Sequence, residues 1–413
     1  MLELSFDNFF DKTLLIQESE GVIQHLDHLE ELILLKKEEG VNTVIQFLQG
    51  LYESFQSSTE SKVFATVKFD GAPAIIAGIH PQTNKFFVST KSISNVVPKI
   101  NYTDQDIQNN HGHAAELVEK LKLALKYLPA VIKEGVYQGD FMFSQKDLTT
   151  KNIKGEDLIL FKPNTITYAI EQHSALGQRI LNSKIGIIFH TKYIGEDVAT
   201  AKPNPNVSVN EFNQTQDVFV DDAKFKDVSG TATLTAEESK KLESLIRSIS
   251  SIGKRVEWEK IPDNVYSHLK AFVNTLVKRG EFVVKPEEAY NSFVENVTQK
   301  AQQSLETLKT EKGKQKRQQL FQDYLTGVQN NQMNLISLFN LTRKIDQAKK
   351  IFIGKYNSAI KTKQFLTQPN GTLKVTAPEG YVAVDHLGNM IKLVDRLEFS
   401  KANFALSKEQ KFK

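Results

Sequence analysis

The chain has 413 residues, with 52 Lys and Arg against 49 Asp and Glu for a net charge of +3, and is 40% apolar and 24% charged. That is an ordinary globular composition, with room for two or three domains of about 100 to 200 residues each. The absence of cysteine excludes disulfides, thiolate zinc sites, iron–sulfur clusters and a cysteine nucleophile.

The first residues carry acids and no basic segment ahead of an apolar stretch, so no secretory signal is expected and the cytoplasm is the default compartment. Residues 23 to 56 read as two amphipathic helices, with Leu26, Leu29, Leu32 and Leu35 on one face and Val44, Phe47, Leu48 and Leu51 on the next. From Lys62 to Tyr193 the pattern changes to strand-like runs broken by Gly, Pro and Asn: KVFATVKF, PAIIAGI, KFFVSTKSI, GVYQGDFMF, ITYAI and IGIIFHTKYI. The apolar run in the second of these, AIIAGI at 74 to 79, is too short to cross a bilayer, and no membrane association is expected. One helix, near 113 to 127, interrupts the strands. Such a mixture predicts an α+β fold rich in antiparallel strands rather than a βαβ series.

After a Pro/Asn-rich stretch near 202 to 214, helical periodicity runs from about Thr235 to Thr362, and strand signals return at GTLKV, EGYVAVD and NMIKLVD. The expected organisation is an N-terminal helical segment (1–60), a first part of the core (61–232), a helical insertion (233–370) and final core strands (371–413). Between Val297 and Lys363 stand 13 Lys or Arg against four acids. This is either a solvated helical face or a nucleic-acid-binding surface. Tyr324, Phe339 and Phe352 interleave with it at the spacing of a helix core.

The sharpest chemical feature is K-F-D-G at Lys68 to Gly71, at a strand end with a second strand beginning near Pro73. A lysine there can face a pocket, and its neutral amine is a competent nucleophile toward phosphorus. Four segments follow in order: YQGDF (Tyr137 to Phe141), GIIFH (Gly186 to His190), EGYV (Glu379 to Val382) and IKLV (Ile391 to Val394). The ordered set resembles nucleotidyltransferase motifs I, III, IIIa, IV and V of the superfamily that includes ATP-dependent DNA and RNA ligases and mRNA capping enzymes. The wording of the chain is also similar to ligase-like proteins of tailed phages, which implies the host cytoplasm if the chain is phage-encoded.

The resemblance covers roughly residues 62 to 194 and 372 to 399. It implies an ATP-grasp-like ligase core with Lys68 as the residue that becomes lysyl-AMP. Asp70 and Gly71 would shape the turn presenting it, and Lys91 would contact the ribose or the nucleic-acid end. Asp140 and Glu379 would serve the ribose and an Mg²⁺ or Mn²⁺ ion, Phe189 would stack on adenine, and Lys392 would neutralise the α-phosphate. This sequence departs from the pattern in having Asp140 where glutamate is usual, Pro73 where DNA ligases tend to have arginine, and Met390 where a first motif V lysine stands. No segment resembling motif VI follows, which on the resemblance favours RNA ligases with helical accessory domains. The implied function is an ATP-dependent polynucleotide ligase, RNA ahead of DNA as partner. The alternatives are GTP-dependent capping or protein AMPylation on the same fold, and a nucleic-acid-binding protein without turnover. The histidines at 25, 28, 111, 113 and 190 match no zinc spacing.

Overall fold

The structure, a computed structural model, describes residues 26–56, 63–198, 200–226, 233–360, 363–367, 373–376 and 378–398. A 3-10 turn at Leu29–Glu31 leads into helix α1 (Leu32–Gln56), which breaks at Lys37, where φ is 53°. The expected helix pair is this bent element. Leu29, Leu32, Val44, Phe47, Leu48 and Leu51 are buried as their spacing predicts, whereas Leu35, beside the break, is turned out to solvent.

Strands β1 (Val63–Val67), β2 (Ala74–Ile79) and β3 (Phe86–Ser89) come next, then helices α2 (Asp104–His111) and α3 (Ala115–Tyr127). They are followed by β4 (Val136–Ser144), β5 (Thr149–Ile153), β6 (Glu156–Phe161) and β7 (Ile166–Glu171). Helix α4 (Ala175–Asn182) precedes β8 (Ile185–Ile194), β9 (Lys202–Asn204) and β10 (Val218–Asp222). Five helices then run in succession: α5 (Ala236–Gly253), α6 (Asp263–Lys278), α7 (Pro286–Thr307), α8 (Glu311–Asn330) and α9 (Gln332–Ala359). Local chemistry sets their starts. Thr235 and Glu238 form a reciprocal capping box on α5, and Pro286 opens α7, where its missing N–H costs no hydrogen bond. Strands β11 (Lys363–Thr367), β12 (Leu373–Val375), β13 (Tyr381–Asp385) and β14 (Met390–Leu393) follow.

These strands make three open sheets among the described residues, in the orders β1-β13-β14, β10-β8-β4-β2-β3 with β9 beside β8, and β12-β11-β7-β6-β5. Every pairing is antiparallel except β8 with β10. The fold is therefore mixed α+β, and the late strands join early ones, β13 to β1 and β11 to β7. The five-helix region is inserted between strands that complete sheets begun before it. Among the described residues no helix is long and apolar enough to cross a membrane.

The N-terminal helix and the insertion pack together with the first sheet. Leu29, Val44 and Leu48 of the N-terminal segment, Leu242, Phe272, Phe293 and Phe352 of the insertion, and Tyr381 and Leu393 of the first sheet share one apolar core. Tyr324, Phe339 and Phe352 belong to that core, which removes them as exposed stacking platforms. Of the basic residues in the insertion, Lys314, Lys349, Lys350, Lys355 and Lys363 are ion-paired to carboxylates. Lys361 and the expected boundaries near 60, 232 and 370 lie outside the described residues.

A buried charge network joins Glu30, Glu31 and Arg396 to the insertion. Lys349 on α9 is fully buried and contacts Glu30 at 2.8 Å and Asp346 at 3.3 Å. Arg396, just past β14, reaches Glu30 at 3.5 Å and Glu31 at 3.1 Å. Burial pushes the Glu30 carboxyl up, but Lys349 and Arg396 outweigh it and hold the group below its ordinary range. Removing one partner strands a desolvated charge, at a cost of roughly 3–5 kcal/mol. Lys349→Met is accordingly expected to lower unfolding stability by about that amount in denaturant titrations. Because the Glu30 pKa is depressed, its contribution is present above the ordinary carboxylate range and is lost as pH falls through the lower folded value. The stability gap between wild type and Glu30→Gln should therefore shrink in acid.

Candidate active site

The first sheet has two faces with different tasks, and the period of two along a strand assigns them. Val63, Ala65, Tyr381, Ala383, Ile391 and Leu393 turn into the helical core. Thr66, Lys68, Val382 and Met390 turn the other way, into a cleft of about 680 Å³ bordered by the second sheet and by Asn164 of the β6–β7 loop. That volume lies within the usual range of small-molecule sites.

Lys68 sits one residue beyond β1. Its backbone N–H donates to the Gly380 carbonyl at 2.9 Å, which extends the β1–β13 pairing and brings Glu379 beside it, and the Lys68 ammonium forms an ion pair with the Glu379 carboxylate. Gly380 adopts φ 148°, and a Cβ there would lie 2.5 Å from Val394 Cγ2, so the turn that carries Glu379 into the cleft requires glycine.

Asp70 holds the turn from below. Its carboxylate accepts from Asn164 Nδ2, Thr165 N and Ile166 N, each at 2.7 Å, and its own N–H donates to Tyr168 Oη at 2.7 Å. With its oxygens so occupied, Asp70 shapes the loop and joins it to the third sheet. Gly71 passes so close to β4 that a Cβ would lie 2.4 Å from Asp140 Cβ.

Asp140 lies on β4, paired across the sheet with Ala74 and Ile188, and its side chain enters the cleft. Burial first, then the neighbouring Glu379 and Asp70 carboxylates, push its pKa up to about 7 against the opposing pull of Lys68 and Lys91. Burial also raises Glu379, opposed by Lys68. Lys91 opens a 3-10 turn, Lys91–Ser94, capped by the Thr90 hydroxyl, and reaches the cleft rim. Lys392 lies on the cleft side of the first sheet, opposite Val382; burial and the Lys68 charge lower its pKa, although it does not line the cavity itself.

Phe189 is not where adenine stacking requires it. It is fully buried on the opposite face of the second sheet, stacked on Phe212 at 4.6 Å and edge-to-face with Tyr137 at 6.0 Å. The alternation of β8 gives the cleft its neighbour, His190, whose Nδ1 lies 2.8 Å from Thr191 Oγ1. Burial and the positive charges of Lys68 and Lys91 lower the His190 pKa to about 4, so the ring is neutral near pH 7. Strand periodicity at GIIFH allows either residue to face inward. The outcome is decided by a partner distant in sequence, Phe212, which gives position 189 an aromatic place in the core. Gln138 and Tyr193, also on the cleft wall, carry no motif signal; the Tyr193 hydroxyl contacts Gln138 Oε1 at 2.5 Å.

The site thus brings together Lys68, Asp70, Gly71, Lys91, Asp140 and Glu379, with Lys392 adjoining. Among the described residues no group of three or more His, Cys, Asp or Glu is arranged to hold a metal by itself. Asp140 and Glu379 supply two carboxylates, a set that suits Mg²⁺ when substrate phosphates and water complete its shell.

Fold and site define a mixed α+β protein with a lysine–carboxylate cleft between antiparallel sheets. The chain belongs to the family described as "Family of unknown function (DUF6267)", whose model matches residues 23–408. No curated protein and no solved structure matches it.

The raised Asp140 pKa has a measurable consequence. A carboxyl titrating near 7 when folded, against an ordinary 3.8, costs stability that develops as pH rises from about 4 and is fully present above 7. In divalent-free buffer, Asp140→Asn is expected to melt higher than wild type at pH 8, by roughly 1 °C for each kcal/mol relieved in a chain of this length. The difference should close near pH 4; a mutant that melts lower at pH 8 would contradict this account.

Proposed function

We propose that the protein is a lysine nucleotidyltransferase, taking AMP from ATP on Lys68 and passing it to the 5′-phosphate end of a polynucleotide, RNA ahead of DNA. The observation that carries this reading is the Lys68–Glu379 ion pair: two motifs separated by the whole helical insertion meet at one cleft. The five ordered segments supply the choice of reaction, and the chemistry of the cleft is compatible with it.

In the proposed first step Glu379, already bonded to the ammonium, accepts a proton from Lys68. The freed Nζ forms a bond to the α-phosphorus while the bond to pyrophosphate breaks, and the remaining acidic proton leaves to solvent. Phosphoryl transfer of this kind needs alignment and charge neutralisation above all. Lys91 on the cleft wall and Lys392 adjoining Lys68 provide further cations. Asp140 and Glu379 are the residues that would hold a divalent ion, which when bound would supply charge neutralisation to the triphosphate, and the elevated Asp140 pKa marks a carboxylate that a nearby cation would favour in its charged form. A purine in this cleft would lie against the neutral His190 ring, since Phe189 is in the core. The activated 5′ end would then be attacked by a 3′-hydroxyl with release of AMP.

Incubation with ATP labelled at the α-phosphate and Mg²⁺ should give an acid-labile protein adduct that maps to Lys68. Lys68→Ala and Lys68→Arg should give none, and His190→Ala should raise the ATP concentration needed without moving the site of label. Parallel incubation with labelled GTP separates an adenylyltransferase from a guanylyltransferase. Equal labelling of wild type and Lys68→Ala would remove Lys68 from the mechanism.

A further inference from the structure

A second recess lies on the helical side of the molecule, between α1 and α5, with a volume of about 580 Å³. Arg247, Lys254 and Arg255 line it together with the hydroxyls of Ser250 and Ser251 and the Gln49 amide, and no carboxylate is among its lining residues. The three cations are exposed. Lys254 has no carboxylate partner among the described residues, and Arg255 is engaged through Nε alone, donating to the Ser251 carbonyl at 3.2 Å. Arg247 approaches Glu243 at 3.6 Å, and that glutamate also accepts from Tyr52 Oη at 3.0 Å. The apolar Ile45 and Ile246 form the remaining wall.

This arrangement contrasts with the basic stretch that stands out in the sequence. In α8 and α9, Lys314, Lys349, Lys350 and Lys355 are ion-paired to acids, whereas at the C-terminal end of α5 Lys254 and Arg255, without a carboxylate partner among the described residues, join Arg247 around one recess. Spacing explains the convergence: positions 247, 251, 254 and 255 recur at helical intervals of three and four, so they share a side of α5 and its C-terminal cap. Two guanidinium forks, an ammonium and two hydroxyls line the recess with no carboxylate among them, Glu243 reaching Arg247 from outside it, and they match the acceptor-only oxygens of phosphodiesters.

We propose that the α1–α5 recess is a track for the backbone phosphates of a polynucleotide, gripping the strand away from the cleft where its end would react. The inference rests on the polynucleotide half of the proposed function and is independent of nucleotide transfer on Lys68.

The test is binding of a fluorescent single-stranded RNA of about 20 nucleotides to the full chain, followed by anisotropy between roughly 50 and 200 mM KCl. Each phosphate neutralised on a single strand contributes about 0.7 to the slope of log affinity against log salt. Arg247→Ala/Lys254→Ala/Arg255→Ala should therefore reduce the slope by about 2. Arg247→Lys/Arg255→Lys should keep most of it, and both variants should retain the wild-type melting temperature and Lys68 labelling. Wild-type RNA binding with no Lys68 adduct would leave the track standing and remove the transfer reaction. An adduct without salt-dependent RNA binding would do the reverse. A slope unchanged in the triple alanine variant overturns the track, as does RNA binding that survives intact while binding to phosphatidylserine vesicles is lost.

Discussion

The pairing of β1 with β13 is the constraint on which the rest of the site depends. These strands come from opposite ends of the chain, and between them lie two further sheets and five long helices. Their register, Thr66 opposite Val382 and Val67 opposite Tyr381, brings the Lys68 amide to the Gly380 carbonyl and leaves the two side chains that follow, Lys68 and Glu379, in contact. A slip of one residue would put Lys68 and Tyr381 on the same face, sending either the cation into the apolar helical core or the aromatic ring into the cleft. That cost makes the register strongly specified. The geometry of the cleft thus follows from the partition of apolar side chains between the faces of one small sheet.

The charges gathered in the cleft are balanced against one another and are not neutral individually. Asp140, Glu379 and Asp70 face Lys68, Lys91 and Lys392, and each side shifts the other: the carboxyls of Asp140 and Glu379 are raised by burial, and the Lys392 ammonium is lowered by burial and by Lys68. Asp70 differs in having its oxygens filled by three donors from the third sheet and its approach loop, and it acts as a fixed strut. Asp140 has no comparable set of donors among the described residues, and that difference separates a structural carboxylate from one available to a ligand. Perturbed groups converging in one cleft are the usual mark of a functional site. They are also a standing cost to stability, which the apolar core behind the first sheet must offset.

Much of this organisation was legible in the chain, and the reasons differ by element. The runs that became β1, β2, β4 and β8 are largely buried and so stand out as short apolar stretches bounded by turn residues, whereas β5, whose four leading residues are exposed, and the three-residue β9 carry almost no such signal. The return of late strands to early sheets was foreseeable only as a condition, because register depends on partners and not on propensity. The motif residues Lys68, Asp140 and Glu379 converge, but Phe189 does not reach the cleft: its side was decided by packing against Phe212 and Tyr137, information held elsewhere in the chain. The basic excess of the insertion could be read no further for the same reason. A lysine count cannot distinguish Lys349, buried between Glu30 and Asp346, from Lys254, which stands exposed.

The helical body has a further bearing on the cleft through the first sheet's outer strand. The Lys392 amide donates to the Asp27 carbonyl at 2.9 Å, and Asp27 is itself held by Lys270 of α6 at 3.3 Å. Lys270 also contacts Glu31, which pairs with Arg396 just beyond β14. The backbone that carries Lys392 is therefore braced by charges from the N-terminal segment and from the insertion, while the apolar side of the same strand, Ile391 and Leu393, packs into the shared core. An insertion attached only at its ends could drift relative to the sheets it interrupts. This one is tied to the strand behind the cleft by both ion pairs and burial, so a change in helix packing would be felt first at Lys392 and, through β13, at Glu379.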